Sequence, residues 1–178
     1  RSEALNYSMT TTATGGFAIH NDSTMYFNSP TIDYICIIFQ FLSGINFTLL
    51  YITIFNARFK DLFKNSEFKL YIGIVLFATA SLVMILFTQM GYDLEKAFRT
   101  GLFQVVSFMT TTGVFSDDVA LWPHITWILL GGVMFVGACA GSTSGGFKCI
   151  RAVMTLKTLR NNFRQILHPN AVLPVKIN

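Results

Sequence analysis

The sequence predicts an all-α polytopic membrane protein assembled from a repeated unit of half-helix, loop and spanning helix. Three observations carry this. Of 178 residues, 52% are hydrophobic, 15% aromatic and only 12% charged, and the mean hydropathy is +0.52, a composition of the membrane class. Three stretches are apolar over the length a bilayer requires. The run Phe103 to Phe115, FQVVSFMTTTGVF, has a copy at Tyr7 to Phe17, YSMTTTATGGF, with the same threonines followed by glycine and phenylalanine. An internal repeat is assigned before anything else.

The spans follow from length. A hydrocarbon core of about 30 Å needs about 20 helical residues at 1.5 Å each. Thr31 to Asn56 has one acid, Asp33, at its start and no base before Arg58, and Ser29-Pro30 is a good helix start. Leu70 to Met90 has no charge, and His124 to about Phe147 has none until Lys148, although its last third is rich in glycine and serine. The cysteines Cys36, Cys139 and Cys149 lie in or beside apolar runs without CxxC spacing and read as small core residues. His20, His124 and His168 have no metal-ligand spacing.

Charges sort by side. The connection Ala57 to Lys69 carries Arg58, Lys60, Lys64 and Lys69 against Asp61 and Glu67, and the tail from Lys148 carries six bases and no acid. Asp22, Asp33, Asp117 and Asp118 mark the opposite side, with Lys96 and Arg99 near it. The positive-inside rule makes Ala57 to Lys69 and the tail cytoplasmic. This distribution, rather than the net charge of +4, argues against nucleic acid as a partner. In the tail, Val153, Leu156, Phe163 and Ile166 recur at helical spacing, which fits an interfacial helix on anionic lipid and equally a partner-binding face.

The repeat falls between spans whose near ends are both outside, so Ala97 to Thr112 starts and ends on the outer face. A helix from Phe98 to Met109 is about 18 Å long, half the core depth, and apolar residues surround it. A re-entrant loop is expected, and the alternative, an amphipathic helix lying on the outer surface, is disfavoured because Leu102, Phe103, Val105, Val106, Phe108 and Met109 cover the whole circumference. Aligning Gly15 with Gly113 pairs Thr14 with Thr112, Thr12 with Thr110 and Phe17 with Phe115; after a gap of five residues Pro30 pairs with Pro123 and Gly44 with Gly137.

Non-helical backbone at membrane depth is tolerated only where protein buries it or where it lines a water-filled cavity. Backbone carbonyls and threonine hydroxyls replace the hydration shell of a monovalent cation without a fixed charge in the membrane. Glycine permits the backbone angles that turn successive carbonyls toward one axis. The candidate ion-facing residues are therefore Ala13, Thr14, Gly15 and Gly16, with Thr111, Thr112, Gly113 and Val114. Thr12 and Thr110 are candidate supports, and hydroxyls of Thr12, Thr110 and Thr111 are candidate additional ligands. Helix-capping threonines and turn glycines are the plainer alternative. Half-helices aimed by their C-terminal ends at the loops favour a cation through the helix dipole.

The segment GACAGSTSGG, Gly137 to Gly146, fails as a nucleotide-binding P-loop. Lys148 stands two residues after Gly146, no Ser or Thr follows it, and no soluble strand precedes it. Gly137, Gly141 and Gly145 at four-residue spacing suit close helix packing, while the poor helix propensity of Gly141 to Gly146 suits a break in the third spanning helix.

These segments together, ATGGF at Ala13 to Phe17, TTTGVF at Thr110 to Phe115, GACAGSTSGGFKCIR at Gly137 to Arg151 and HPNAVLPVK at His168 to Lys176, resemble the Trk/Ktr/HKT superfamily of potassium transporters over nearly the whole chain. The resemblance implies repeats of potassium-channel type, of which this chain matches the end of the second repeat (residues 1–56), a cytoplasmic connection (57–69), a complete third repeat (70–147) and a basic cytoplasmic helix and linker (148–178). Because the chain begins at Arg1 inside a repeat, it is expected to be part of a longer protein. The chain departs from the potassium-channel filter TVGYG by lacking its second glycine, replaced by Phe17 and Phe115, and Ala13 lacks the hydroxyl that Thr111 offers. The resemblance implies potassium transport through a channel-like filter, without enzymatic chemistry or a covalent cofactor, potassium being the cargo. Gly137, Gly141, Ser142, Thr143, Ser144, Gly145 and Gly146 are implied to form an intramembrane gating loop, with Lys148 and Arg151 at the cytoplasmic mouth. Implied partners are a second pore subunit in a homodimer, a cytoplasmic nucleotide-binding regulatory subunit (TrkA-like) and the lipid of the inner (plasma) membrane. A sodium-permeable or sodium-coupled transporter, and a non-conducting membrane subunit whose repeats serve packing, are the alternatives.

Overall fold

The computed structural model describes residues 2–56 and 59–167, so Arg58 and the segment from His168, including HPNAVLPVK, lie outside the described residues. The described residues form helices and connections without strands. In chain order the helices are α1 (Ser2–Ala13), α2 (Pro30–Ser43), α3 (Phe47–Asn56), α4 (Phe59–Lys64), α5 (Ser66–Gln89), α6 (Leu94–Met109), α7 (His124–Val136) and α8 (Cys149–Leu167), with short 3-10 turns at Ser23–Phe27 and Val119–Leu121.

Helix α5 is the central element. Its 24 residues give a length of about 36 Å, and it is long and apolar enough to cross a membrane. It starts four residues earlier than hydropathy predicts because Asn65 caps it, accepting from the N–H groups of Glu67 and Phe68. Tyr71, Val75, Ala78, Leu82 and Leu86 are buried. They recur every three or four residues on one stripe and pack in one cluster with Ala97, Val105, Val106 and Met109 of α6 and Leu130 and Val133 of α7. Gly101 lets α6 approach closely, since a Cβ there would stand 3.4 Å from Val83. The other face of α5, with Phe77 and Met84, is exposed.

One predicted span is corrected, and the expected break in the third is located. Thr31 to Asn56 is not one helix: α2 and α3 meet at 101° across Gly44 to Asn46. The Asn46 side chain accepts from the N–H of Thr48 at 2.9 Å and starts a new helix. At the bend Gly44 sits against α5, where a Cβ would lie 2.5 Å from the Tyr71 hydroxyl. His124 to Phe147 is helical only to Val136, 13 residues or about 20 Å. Gly137 ends it with φ +70°, the left-handed backbone that glycine adopts without penalty.

The half-helix α6 runs from Leu94, not Phe98, since Asp93 rather than a later residue supplies the first helical carbonyl, to Ala97 N–H at 2.8 Å. The described part of the basic tail is helical over Cys149–Leu167, as its periodicity predicts, with Leu156 and Phe163 exposed. Cys36, Cys139 and Cys149 are buried.

Candidate functional site

Helices α1 and α6 end in the same way. Thr14 and Thr111, just past the helices, take left-handed φ values of 51° and 55°, and Gly16 and Gly113 take 72° and 74°. The N–H of Gly15 donates to Thr10 C=O at 3.1 Å, and that of Thr112 to Ser107 C=O at 2.9 Å. The hydroxyl of Thr10 donates to Phe17 C=O at 2.6 Å, and that of Ser107 to Val114 C=O at 2.7 Å. The two loops are copies in backbone as well as in sequence.

These bonds correct the register of the repeat by one residue. Thr14 corresponds to Thr111, Gly15 to Thr112, Gly16 to Gly113 and Phe17 to Val114, so the pairing of Gly15 with Gly113 and Phe17 with Phe115 does not hold. The gap before Pro30 and Pro123 shrinks from five residues to four. Ala13 is the last residue of α1 and matches Thr110, the cap of α6. Thr10 and Ser107 are functional side chains that sequence reasoning missed. The signal was present: each lies seven residues before the carbonyl it holds.

The threonine hydroxyls bond to neighbouring protein groups. Thr110 is fully buried, donates to Val106 C=O at 2.8 Å and pairs with the Thr112 hydroxyl at 2.7 Å. It braces the loop from behind, and its expected use as an extra ligand is corrected: the orphan carbonyl at a helix end is the nearer acceptor. Thr12 likewise turns back to the Ser8 carbonyl. Beyond the loops, Phe115 N–H donates to the Ser23 hydroxyl at 3.1 Å, and Thr24 donates to Phe115 C=O at 2.7 Å. The outer turn of the first copy thus fastens the end of the second loop. The loops also touch directly, since a Cβ on Gly16 would stand 2.9 Å from the Thr112 carbonyl oxygen.

Residues 137–148 are not a helix, so the close-packing stripe of Gly137, Gly141 and Gly145 is corrected. Gly137, Gly141 and Gly146 have φ between +70° and +82°. The segment closes on itself: a Cβ on Gly137 would lie 2.8 Å from Gly145 C=O. Ser142 and Ser144 share a hydroxyl contact at 2.8 Å. Gly137, Gly141, Ser142, Thr143, Ser144, Gly145 and Gly146 therefore fall in one loop, and that loop meets both copies. Thr14 donates to Thr143 C=O at 2.9 Å, Thr143 to Thr12 C=O at 3.2 Å, and Gly145 N–H to the Thr111 hydroxyl at 2.7 Å. It also bonds the break between α2 and α3, through Cys139 N–H to Gly44 C=O at 3.0 Å and Phe47 N–H to Gly141 C=O at 3.1 Å. Gly44 and Gly137, paired in sequence, are the two breaks joined here.

Lys148 folds back onto this loop, donating to Ser144 C=O and, at 3.3 Å, to its hydroxyl. Burial lowers its ammonium below the usual lysine value, against the opposing pull of the Glu67 carboxylate. Arg151 is exposed in the first turn of α8. On the opposite side Tyr92 donates to Asp117 at 2.9 Å. Its hydroxyl is pushed up to about 12, first by burial and then by that carboxylate.

The TrkH family profile, described as a cation transport protein, matches residues 2–178. The chain is 37% identical over 180 residues to "Trk system potassium uptake protein TrkH" of Salmonella typhimurium, covering 98% of this chain and 36% of that protein. It is 35% identical over 176 residues to the protein of the same name from Escherichia coli K12, with 98% and 36% covered. Among solved structures, the crystal structure of the potassium transporter TrkH from Vibrio parahaemolyticus superposes with a TM-score of 0.91 at 34% identity, over 99% of this chain and 38% of that one. The chain thus spans just over a third of the length of these relatives.

Proposed function

Because the chain belongs to the TrkH family of cation transport proteins, we propose that it supplies two sides of a potassium-conducting path through a membrane, with a glycine-rich loop as the gate. The observation that carries this reading is the duplicated loop ending in alternate left-handed residues, Thr14 and Gly16 in one copy and Thr111 and Gly113 in the other. Alternation of left-handed with ordinary backbone turns successive carbonyls toward one side, the arrangement that replaces a cation's water. The ion-facing segments in this reading are Thr14 to Phe17 and Thr111 to Val114; Ala13, Thr12 and Thr110 support them. Two loops do not enclose an ion, so further loops complete the ring.

The relatives' name, potassium uptake protein, supports potassium as the cargo. The exposed apolar face of α5 suits lipid or further helices of the whole protein. The unit boundaries follow: residues 1–56 and 70–147 as two repeats, 57–69 as the cytoplasmic connection, and 148–178 as a basic cytoplasmic element that offers a surface to anionic lipid or to a nucleotide-binding regulatory subunit. A homodimer in the inner membrane completes the reading. Its test is uptake of rubidium by proteoliposomes of the complete protein, with potassium and sodium as competitors. Competition by potassium alone supports a selective filter, equal competition supports a sodium-permeable path, and absence of uptake overturns conduction.

A further inference from the structure

A carboxylate is buried against the glycine-rich loop. Glu67, in the first turn of α5, is 5% exposed. A buried ion costs several kcal/mol unless its oxygens are satisfied. Here Oε1 accepts from the N–H of Ala140 at 2.5 Å, across 73 residues of sequence. Burial raises the Glu67 carboxyl above the usual carboxylate range, and the backbone N–H groups of Ala140 and Ile150 and the Lys148 ammonium oppose that rise. Ile150 lies in the first turn of α8, where free N–H groups and the helix dipole attract an anion. One side chain therefore touches the middle of the loop and the start of the helix that follows it.

The loop is held between two sets of contacts. Thr14 and Thr111 bind it through Thr143 and Gly145, and Glu67 binds it through Ala140. The first set belongs to the conducting path and the second to the helix that begins at the cytoplasmic connection. We propose that Glu67 is a positioning residue that fixes the glycine-rich loop beneath the threonine loops, so that loss of its carboxylate releases the loop locally. The effect on conduction rests on the reading of that loop as a gate; the effect on loop position does not.

The native cysteines separate these possibilities. Cys139, beside Ala140, and Cys149 are 1% and 0% exposed, while Cys36 in α2 is 6% exposed and lies outside the loop. In the complete protein, labelling by a small water-soluble maleimide is followed cysteine by cysteine by mass spectrometry. Glu67→Ala is expected to speed labelling of Cys139 and Cys149 about tenfold, the equivalent of roughly 1.4 kcal/mol for one charge-assisted hydrogen bond, with Cys36 unchanged. Glu67→Gln keeps an acceptor oxygen and is expected to restore most of the protection; it also serves as the variant to read if the alanine protein does not fold. Unchanged labelling of Cys139 overturns the proposal, and so does a parallel rise at Cys36, which marks general unfolding. Rubidium flux on the same samples tests the gate. Faster labelling with higher flux supports both, and faster labelling with parental flux keeps Glu67 as the anchor while overturning the gate.

Discussion

The Thr111 hydroxyl accepts a hydrogen bond from the Gly145 N–H at 2.7 Å, which joins the second threonine loop to the glycine-rich loop 34 residues later. The equivalent residue of the first copy, Thr14, donates to Thr143 C=O. Each bond contributes about 1 kcal/mol net. Thr111→Val, which keeps the shape and removes the acceptor, is expected to shift the loop's population and raise basal rubidium flux about fivefold. Thr14→Val with Thr111→Val should raise it further. Flux at or below the parental value in a folded double variant contradicts the gate.

Removing the loop itself is the stronger form of the same experiment. Residues 137–148 bond to both threonine loops and to the break between α2 and α3, yet they fold into a local closure around Gly137 and Gly145. Deletion of Ser142 to Ser144 should leave the helices in place and increase flux. A protein that still folds but conducts less than the parent would instead assign the loop to the conducting path.

The glycines of the two loops are predicted to differ. A Cβ at Gly113 would make only an ordinary contact, 3.7 Å from Gly16, so its φ of +74° is what opposes substitution. That strain costs about 1–2 kcal/mol. At Gly16 the same strain is joined by a contact of 2.9 Å with the Thr112 carbonyl, a backbone atom that yields only by moving the neighbouring loop. Gly113→Ser should therefore lower potassium-over-sodium discrimination with expression retained, whereas Gly16→Ala should reduce both. Equal effects in competition assays would remove the contact between loops from the explanation.

How much of this was legible in the sequence depends on which contacts decide each feature. The half-helix α6, the extent of α5 and the break after Val136 follow from local composition, and each lies within a few residues of its expected place. The bend at Gly44 was not expected, although Gly44 had been paired with Gly137: one glycine among Leu42, Ser43 and Ile45 is a weak local signal, and the space it vacates is filled by Tyr71 from a helix far along the chain. The register of the threonine loops failed for a related reason. In TTTATGG and TTTGV several slips align equally well, and the true one is set by which threonine turns left-handed, through the bonds of Thr10 and Ser107. The roles of the threonine hydroxyls are not readable from spacing because their partners are set by the fold: Thr110 donates to a helix carbonyl, and Thr111 accepts from the distant Gly145 N–H.

The ion pair between Arg99 and Asp33 ties α6 to α2, the half-helix of one copy to the long helix of the other, with side chains only 15% and 9% exposed. Glu95 also pairs with Arg99 at 3.3 Å. Removing one member of a buried pair leaves an uncompensated charge and costs about 3–5 kcal/mol. Arg99→Leu should lower the unfolding temperature in mild detergent markedly, and Asp33→Asn with Arg99→Leu should recover most of the loss. Additive losses in this double-mutant cycle would show that the two side chains are not coupled.

The side assignment rests on charge and is open to direct measurement. Ala120 lies in the turn after the second threonine loop and is exposed, as is Lys64 at the end of α4. They stand at opposite ends of α5: Lys64 precedes its start, and the turn holding Ala120 is tied to the other end by Asp117, which accepts from Tyr92 just after Gln89 at 2.9 Å. A helix of about 36 Å puts a full hydrocarbon core between them. In intact cells, a cysteine at Ala120 should react with an impermeant thiol reagent, and one at Lys64 only after permeabilisation; the buried native cysteines keep the background low. The reverse pattern would invert the topology and place the basic connection and α8 outside. Equal reactivity before permeabilisation would mean that α5 does not separate two compartments, and the reading of the threonine loops as a transmembrane path would fall with it.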